Sequence, residues 1–541
     1  IRVARNNPHL PLALLLSGRA ADALTLARTI HAQLEQVLGP DAFPTAQMLA
    51  VRGAAQARLG QDREALADLS RAMPILLSRS GTGSASAGQA IRTRLLAGEW
   101  LGLLARLQGS SLIREQGIDP LEESFRVAES AGSRAVRGAL AAQGARAAGQ
   151  DPELAEMARQ EQDLAMYLEA AQADLMAQAG GDAADLRAAR ERVSELDRAR
   201  QSLLEEIGKR FPKYSELVAP QGCGVRDAQS ALHPGEALVS VFPAEDRTFV
   251  WCIPARGEPS FHAASLGSRE LARRVEALRK GLEIDATTLA GIPAFDLALA
   301  HSLYRDLLGP AEAGFKGAST LLAVLRPPLD RLPLGVLVTA AADPGPDRAA
   351  LFDRYRRVPW LIARQAVDVV PSAESLRGLR AMPPGAADRK ALAGFGDPFF
   401  SPEQEKVATA EAQVLASRGV KVRSVRAVSR GSLDVAGVQA DLSQLDRLPD
   451  TRDELLEMAA ALGADPKADL FLGREASRAR VLGTDLRDRR VLAFATHALV
   501  PGDLDGLDQP ALALSSSLVT GVAGDGLLTM EDVLRLRLAA D

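Results

Sequence analysis

A chain of 541 residues is too long for one domain and fits about two to four. Hydrophobic residues at 47% and charged residues at 25% exclude a mostly disordered chain, and a net charge of −5 excludes a basic field that would draw it to nucleic acid or anionic lipid. No apolar run reaches the ~18 residues a membrane span needs, so no membrane partner is expected.

The chain opens Ile1-Arg2-Val3, without an initiating Met. Leu10 to Leu16, behind Arg2 and Arg5, reads either as the apolar part of a signal segment or as a repeat helix. The repeat helix is preferred, which places the protein in the cytoplasm, with the periplasm left open because the true start is absent.

All eight lysines lie at or beyond Lys209, and residues 1–208 are rich in Ala, Leu, Arg, Gln and Glu. That composition favours helix and carries almost no strand signal. In residues 50–74, small Gly53 and Ala65 let two helices approach closely, Gly60 opens the turn between them, and Leu69 and Ala72 pack behind. Gly18 and Ala23 repeat the turn and packing step 42 residues earlier (60 − 18). Gly102 stands another 42 on, in a poorer pattern. The spacing resembles the tetratricopeptide repeat, and a generic stack of helical hairpins is the plainer reading. Either stack presents a concave surface suited to a regulatory or substrate protein. Residues 1–150 are therefore expected to be repeats. Residues 151–215 are expected to form a long helical hairpin, broken at Gly180-Gly181 and closed by Pro212, with Leu186, Val193, Leu196, Leu203 and Leu204 at helical spacing.

From about 235 the pattern changes to short apolar runs between Gly and Pro. Strands are expected at 235–243, 248–254 and 259–266, then two helices, after Ser268 and from Asp296 to Gly309. Further strands are expected at 320–325, 366–371, 391–396, 468–473, 489–500 and 511–515. Helices are expected after Ser372, over 451–462, and from Thr529, where Asp532 stands at the N3 position of a capping box. Such alternation predicts a largely parallel sheet with helices on both faces, spanning 216–541: strands and helices over 235–300, then a core over 316–541.

In such a sheet chemistry gathers at the carboxyl ends of the strands, where His497 stands. Its two readings are a core histidine bonded to a carbonyl and a catalytic proton carrier. The other histidines are scattered, two cysteines (Cys223 and Cys252) make neither a disulfide framework nor a zinc site, and no Gly-rich loop with lysine cradles a phosphate. No metal or cofactor is expected. Ser215, Ser372 and Ser515 lack a Gly-x-Ser-x-Gly elbow. Asp503, Asp505 and Asp508 read either as an acidic pocket for a basic side chain or, preferably, as a solvated loop.

Eight segments occur in an order that resembles one family: Leu332-Pro333-Leu334, Pro371-Ser372-Ala373, Phe395-Gly396-Asp397-Pro398, Leu448 to Glu454, Leu472 to Ala476, Phe494-Ala495-Thr496-His497, Pro510 to Ser515, and Asp525 to Thr529. Together they resemble the CHAT-domain peptidases, caspase-like cysteine proteases of clan CD that usually follow tetratricopeptide repeats and, in bacteria, often act in self-defence. The resemblance covers about residues 216–541. It implies a caspase-like fold and a regulated endopeptidase whose helical repeats bind a partner, sensor or substrate protein. It makes His497 the catalytic histidine and the N–H of Ala498, at a position typically glycine, an oxyanion donor. The nucleophilic cysteine is expected just beyond Asp541, at the end of the next strand, so a chain ending at Asp541 is expected to be inert toward peptides. Cys223, in a linker segment, and Cys252, a small buried hydrophobe, are not expected to replace it. The competing readings are a caspase-like scaffold without a nucleophile and a general helical adaptor.

Overall fold

A computed structural model describes residues 9–80, 87–132, 152–177, 183–211, 223–282, 293–343, 345–346, 352–381, 388–418, 442–499, 510–536, 538 and 540. The chain divides into two compact units, one of residues 1–283 and 291–381, the other of residues 284–290 and 382–541. This division falls near residue 382, inside the span expected to form one α/β domain.

The first unit begins with helices α1 (Leu10–Leu16), α2 (Ala20–Leu38), α3 (Phe43–Arg58), α4 (Asp62–Ser80), α5 (Ala87–Leu107), α6 (Ser111–Glu115) and α7 (Pro120–Gly132). Gly18 and Gly60 take φ of +78° and +77°, left-handed values that glycine adopts without strain, and they turn the chain between paired helices. A Cβ at Gly53 would lie 2.8 Å from Leu69 Cγ, so α3 and α4 approach as the small residue requires. Gly102 is no turn: it lies inside α5, and the next left-handed glycine is Gly109, at φ +80°. The spacing therefore widens from 42 to 49 residues (109 − 60), because α5 is longer than its predecessors. Helices α8 (Pro152–Ala177) and α9 (Ala183–Arg210) form the hairpin, closed by Leu154, Met157, Ala158 and Ile207.

After α10 (Val225–Ser230) come β1 (Glu236–Pro243), β2 (Thr248–Pro254), β3 (Ser260–Ala264), α11 (Ser268–Lys280), α12 (Leu297–Leu307), β4 (Thr320–Val324), β5 (Ala366–Val369) and α13 (Ala373–Ala381). The sheet order is β3-β2-β1-β4-β5, antiparallel through β1 and parallel beyond it. Alternation along β1 and β2 covers both faces. Leu238, Phe242, Phe249, Trp251 and Ile253 join the core of α1 to α7, while Ala237, Val239, Val241, Val250 and Cys252 pack with α11 and α12. The helical array and this sheet thus share one core. They also share polar ties: Trp251 Nε1 donates to Ser124 Oγ at 2.9 Å, and buried Arg326 donates to Glu129 at 2.9 Å.

The second unit holds β6 (Lys390–Gly396), α14 (Pro402–Arg418), α15 (Asp450–Leu462), β7 (Leu470–Leu472), α16 (Arg478–Gly483), β8 (Arg489–Ala495), β9 (Ala498–Leu499), β10 (Ala511–Ala513), β11 (Leu527–Thr529) and α17 (Met530–Arg535). Two sheets form: parallel β7-β6-β8 and antiparallel β11-β10-β9. The single largely parallel sheet expected from the sequence is thus replaced by three described sheets. The continuous strand expected over 489–500 breaks at Thr496-His497, because β9 leaves the parallel sheet to pair with β10. The Thr529–Asp532 capping box is present, but α17 ends at Arg535.

Candidate functional site

β6 and β8 run parallel in register, Gly394 opposite Ala493 and Gly396 opposite Ala495. Their carboxyl ends therefore deliver Asp397 and His497 to the same edge. Small residues make one face of β6 close-packed: a Cβ at Gly396 would come within 2.6 Å of Leu455 on α15. On the other face Phe395 stacks between Phe471 and Phe494, with centroids 4.8 and 5.2 Å away.

His497 is held by main chain and side chain together. The Ala513 N–H donates to its carbonyl at 2.9 Å, and Thr496 Oγ1 donates to the Ala513 carbonyl. Imidazole Nε2 lies 2.7 Å from the Asp446 carbonyl, with the Phe400 ring 5.6 Å from the imidazole centroid. A carbonyl only accepts, so Nε2 carries the proton in this contact and neutral His497 keeps its lone pair on Nδ1. The Ala513–His497 hydrogen bond also sets the orientation of Ala498. In an antiparallel ladder bonded and non-bonded pairs alternate, so Ala498, opposite Leu512, directs its N–H away from β10.

The loop that carries Asp446 is pinned at three consecutive residues. Gln404 Nε2 donates to the Leu445 carbonyl at 2.8 Å, His497 takes the Asp446 carbonyl, and Arg447 grips Asp397 with two bonds, of 2.7 and 2.9 Å. Asp397 is fully buried and also accepts from Arg452 Nε at 3.1 Å. Its φ of +51°, unusual before a proline, is held by its own N–H donating to Thr451 Oγ1 at 2.9 Å. The Arg447 guanidinium lies 5.2 Å from the Phe399 ring centre.

The two cysteines belong to the first unit and are fully buried. Burial, with Glu129 nearby, pushes the Cys223 thiol far up, and burial alone pushes Cys252 to about 12. Both are protonated at neutral pH and unsuited to nucleophilic attack. Asp503, Asp505, Asp508 and Asp541 lie outside the described residues. Among the described residues no cluster of His, Cys, Asp and Glu is able to hold a metal ion, and no helix is long and apolar enough to cross a membrane.

Sequence reasoning quoted Asp397 as part of a motif but gave it no task, and it missed Arg447 entirely. Ser515, considered only as a nucleophile, is buried and structural. Its Oγ accepts from the Phe399 N–H at 2.8 Å and donates to the Gly473 carbonyl at 2.9 Å, joining two of the quoted segments to the residue that follows a third.

β6 and β8 thus bring a buried carboxylate and a histidine to the carboxyl edge of a parallel sheet, the edge at which open α/β sheets bind ligands. Residues 297–541 match the family model described as the CHAT domain. The match takes in all eight quoted segments, while helices α1 to α9 lie before it. No curated protein matches the chain.

Proposed function

We propose that the protein is a caspase-like cysteine endopeptidase in which His497 is the catalytic histidine. The observation that carries this reading is the Nε2 contact with the Asp446 carbonyl, which leaves Nδ1 as the basic nitrogen at a strand's carboxyl end. In this role Nδ1 takes the thiol proton, the thiolate attacks the scissile carbonyl, and the imidazolium returns the proton to the departing amine. The Ala498 N–H, directed away from β10, is proposed to take the oxyanion.

The thiol is proposed to come from a strand after Asp541 that pairs with the outer edge of β8. Among the described residues that edge has no partner, and Val491, Leu492 and Phe494 are only half-buried along it. Neighbouring strands lie about 4.8 Å apart, so a cysteine ending such a strand would stand within reach of His497. The helical array is proposed to bind a regulatory or substrate protein. A cavity of 520 Å³ between its helices and the Pro243–Arg247 turn, lined by Leu12, Ile91 and Arg94, supports this. A cytoplasmic placement is proposed with it. The alternative is an inactive caspase-like scaffold, the reading that holds if that strand carries no cysteine, since neither Cys223 nor Cys252 is placed to act instead.

Treating the full-length protein with a thiol-directed peptidyl ketone and mapping the adduct tests the reading. A single adduct on a cysteine beyond Asp541, lost in His497→Ala, is expected. Labelling at Cys223 or Cys252, or Ser, Ala or Gly at the end of that strand, would overturn it, the latter in favour of the scaffold.

A further inference from the structure

We infer that Asp397 and Arg447 form a buried clamp that positions His497 and selects its tautomer. The inference rests on the catalytic reading of His497 for its importance, but not for its geometry. The residue that meets the imidazole is Asp446, and it does so through its backbone, so no side-chain chemistry at 446 holds the contact in place. What holds the peptide is the next residue. Arg447 engages both carboxylate oxygens of Asp397 in a side-on fork, the arrangement that fixes direction as well as distance.

Asp397 in turn has little freedom. It is 0% exposed, follows the last residue of β6 directly, and takes a second guanidinium from Arg452. The path is thus continuous: β6, the Asp397 carboxylate, the Arg447 fork, the Asp446 carbonyl, His497 Nε2. The Gln404 bond to the Leu445 carbonyl holds the same loop one residue earlier, so the 446 carbonyl lies between two tethered residues. With the carbonyl in place the Nε2–H tautomer is stabilised. With the loop released, Nε2–H loses its acceptor and both tautomers of the imidazole become populated.

The clamp makes Asp397 and Arg447 positioning residues, and two readouts separate that role from mere stability. The first is the imidazole ¹⁵N spectrum of the full-length protein labelled at histidine, with the His497 signals assigned by their loss in His497→Gln. The wild type is expected to show Nε2–H as the dominant tautomer. Arg447→Met, which keeps an unbranched side chain of similar reach but not the guanidinium, is expected to show a mixture, and Arg447→Lys, which keeps the charge but not the fork, a partial return. Asp397→Asn should resemble Arg447→Met. If Asp397→Asn fails to fold, the two Arg447 variants decide alone. The second readout is turnover: the Met variant should lose about tenfold or more in kcat with KM little changed, and the Lys variant should recover part of it. An unchanged tautomer in a folded Arg447→Met variant overturns the inference whatever the turnover. Absence of peptidase activity in the wild type as well as in every variant, with the tautomer shift present, overturns the peptidase reading and leaves the clamp standing.

Discussion

Ser515 Oγ accepts the Phe399 N–H at 2.8 Å, and the Phe399 carbonyl accepts the N–H of Ser516 at 3.0 Å, so the two segments hold each other by side chain and main chain at once. Phe399 carries the Arg447 guanidinium on its ring, and Phe400 faces His497. The serine thus sets the floor of the candidate site without taking part in its chemistry.

Ser515→Ala leaves the Phe399 N–H and one Gly473 carbonyl bond without a partner in a fully buried place. A buried unsatisfied group costs about 1–3 kcal/mol. Chemical denaturation should show a loss of this size in the transition of the second unit. A loss near zero would mean that water or a shifted backbone replaces the hydroxyl.

Gly53→Ala places a methyl 2.8 Å from Leu69 Cγ and 3.0 Å from Asp68 Cβ, between two packed helices. Overpacking of this kind costs about 1–3 kcal/mol. Gly102→Ala, whose Cβ would meet only Phe249 at 4.0 Å, is expected to leave the melting temperature almost unchanged. The pair tests whether the close approach belongs to the 53/65 step and not to every glycine of the helical array.

Asp532 is buried against Arg478, which binds it with two hydrogen bonds, and the cap to Thr529 adds to the effect; together they hold its carboxyl down at about 2. The folded value lies below the unfolded one, so the stabilisation is present above pH ~4 and is lost as pH falls toward 2. A carboxyl held that far below its ordinary value contributes about 2 kcal/mol at neutral pH. The stability gap between the wild type and Asp532→Asn should therefore narrow steadily from pH 5 to pH 2, as followed by denaturant midpoints. A gap independent of pH over that range would show that the ion pair contributes nothing.

Both described thiols should resist iodoacetamide in the native protein and react once it unfolds, since each is buried and protonated. Cys252 is packed so closely against Gly314 that a Cβ there would come within 2.8 Å of its sulfur. Native labelling of either residue at the rate of a free thiol would contradict the burial described.

The parts of the fold legible in the sequence are those set by local pattern. The run Thr248 to Pro254 forms β2 at those bounds, because its side chains alternate between two buried faces. Gly18, Gly60 and the Thr529–Asp532 box mark turns and caps through chemistry that acts within a few residues. What the sequence hid depends on distant partners. His497 was legible as the end of an apolar strand, but the break at Thr496-His497 comes from β10, which arrives later in the chain. Arg447 lies 50 residues from Asp397, and the acceptor on Asp446 is a carbonyl that every residue possesses, so no residue type advertised the clamp.

The most direct test of the central claim is peptide turnover by the full-length protein and its His497→Ala variant, with thermal unfolding measured on both. Loss of the histidine is expected to lower turnover by ~10²–10⁴ while the melting temperature stays close to that of the wild type, because the imidazole is half-exposed and makes one hydrogen bond to a carbonyl. The chain that ends at Asp541 is expected to be inert in the same assay. Equal turnover by a folded His497→Ala variant would contradict the account, as would His497-dependent cleavage by the chain ending at Asp541.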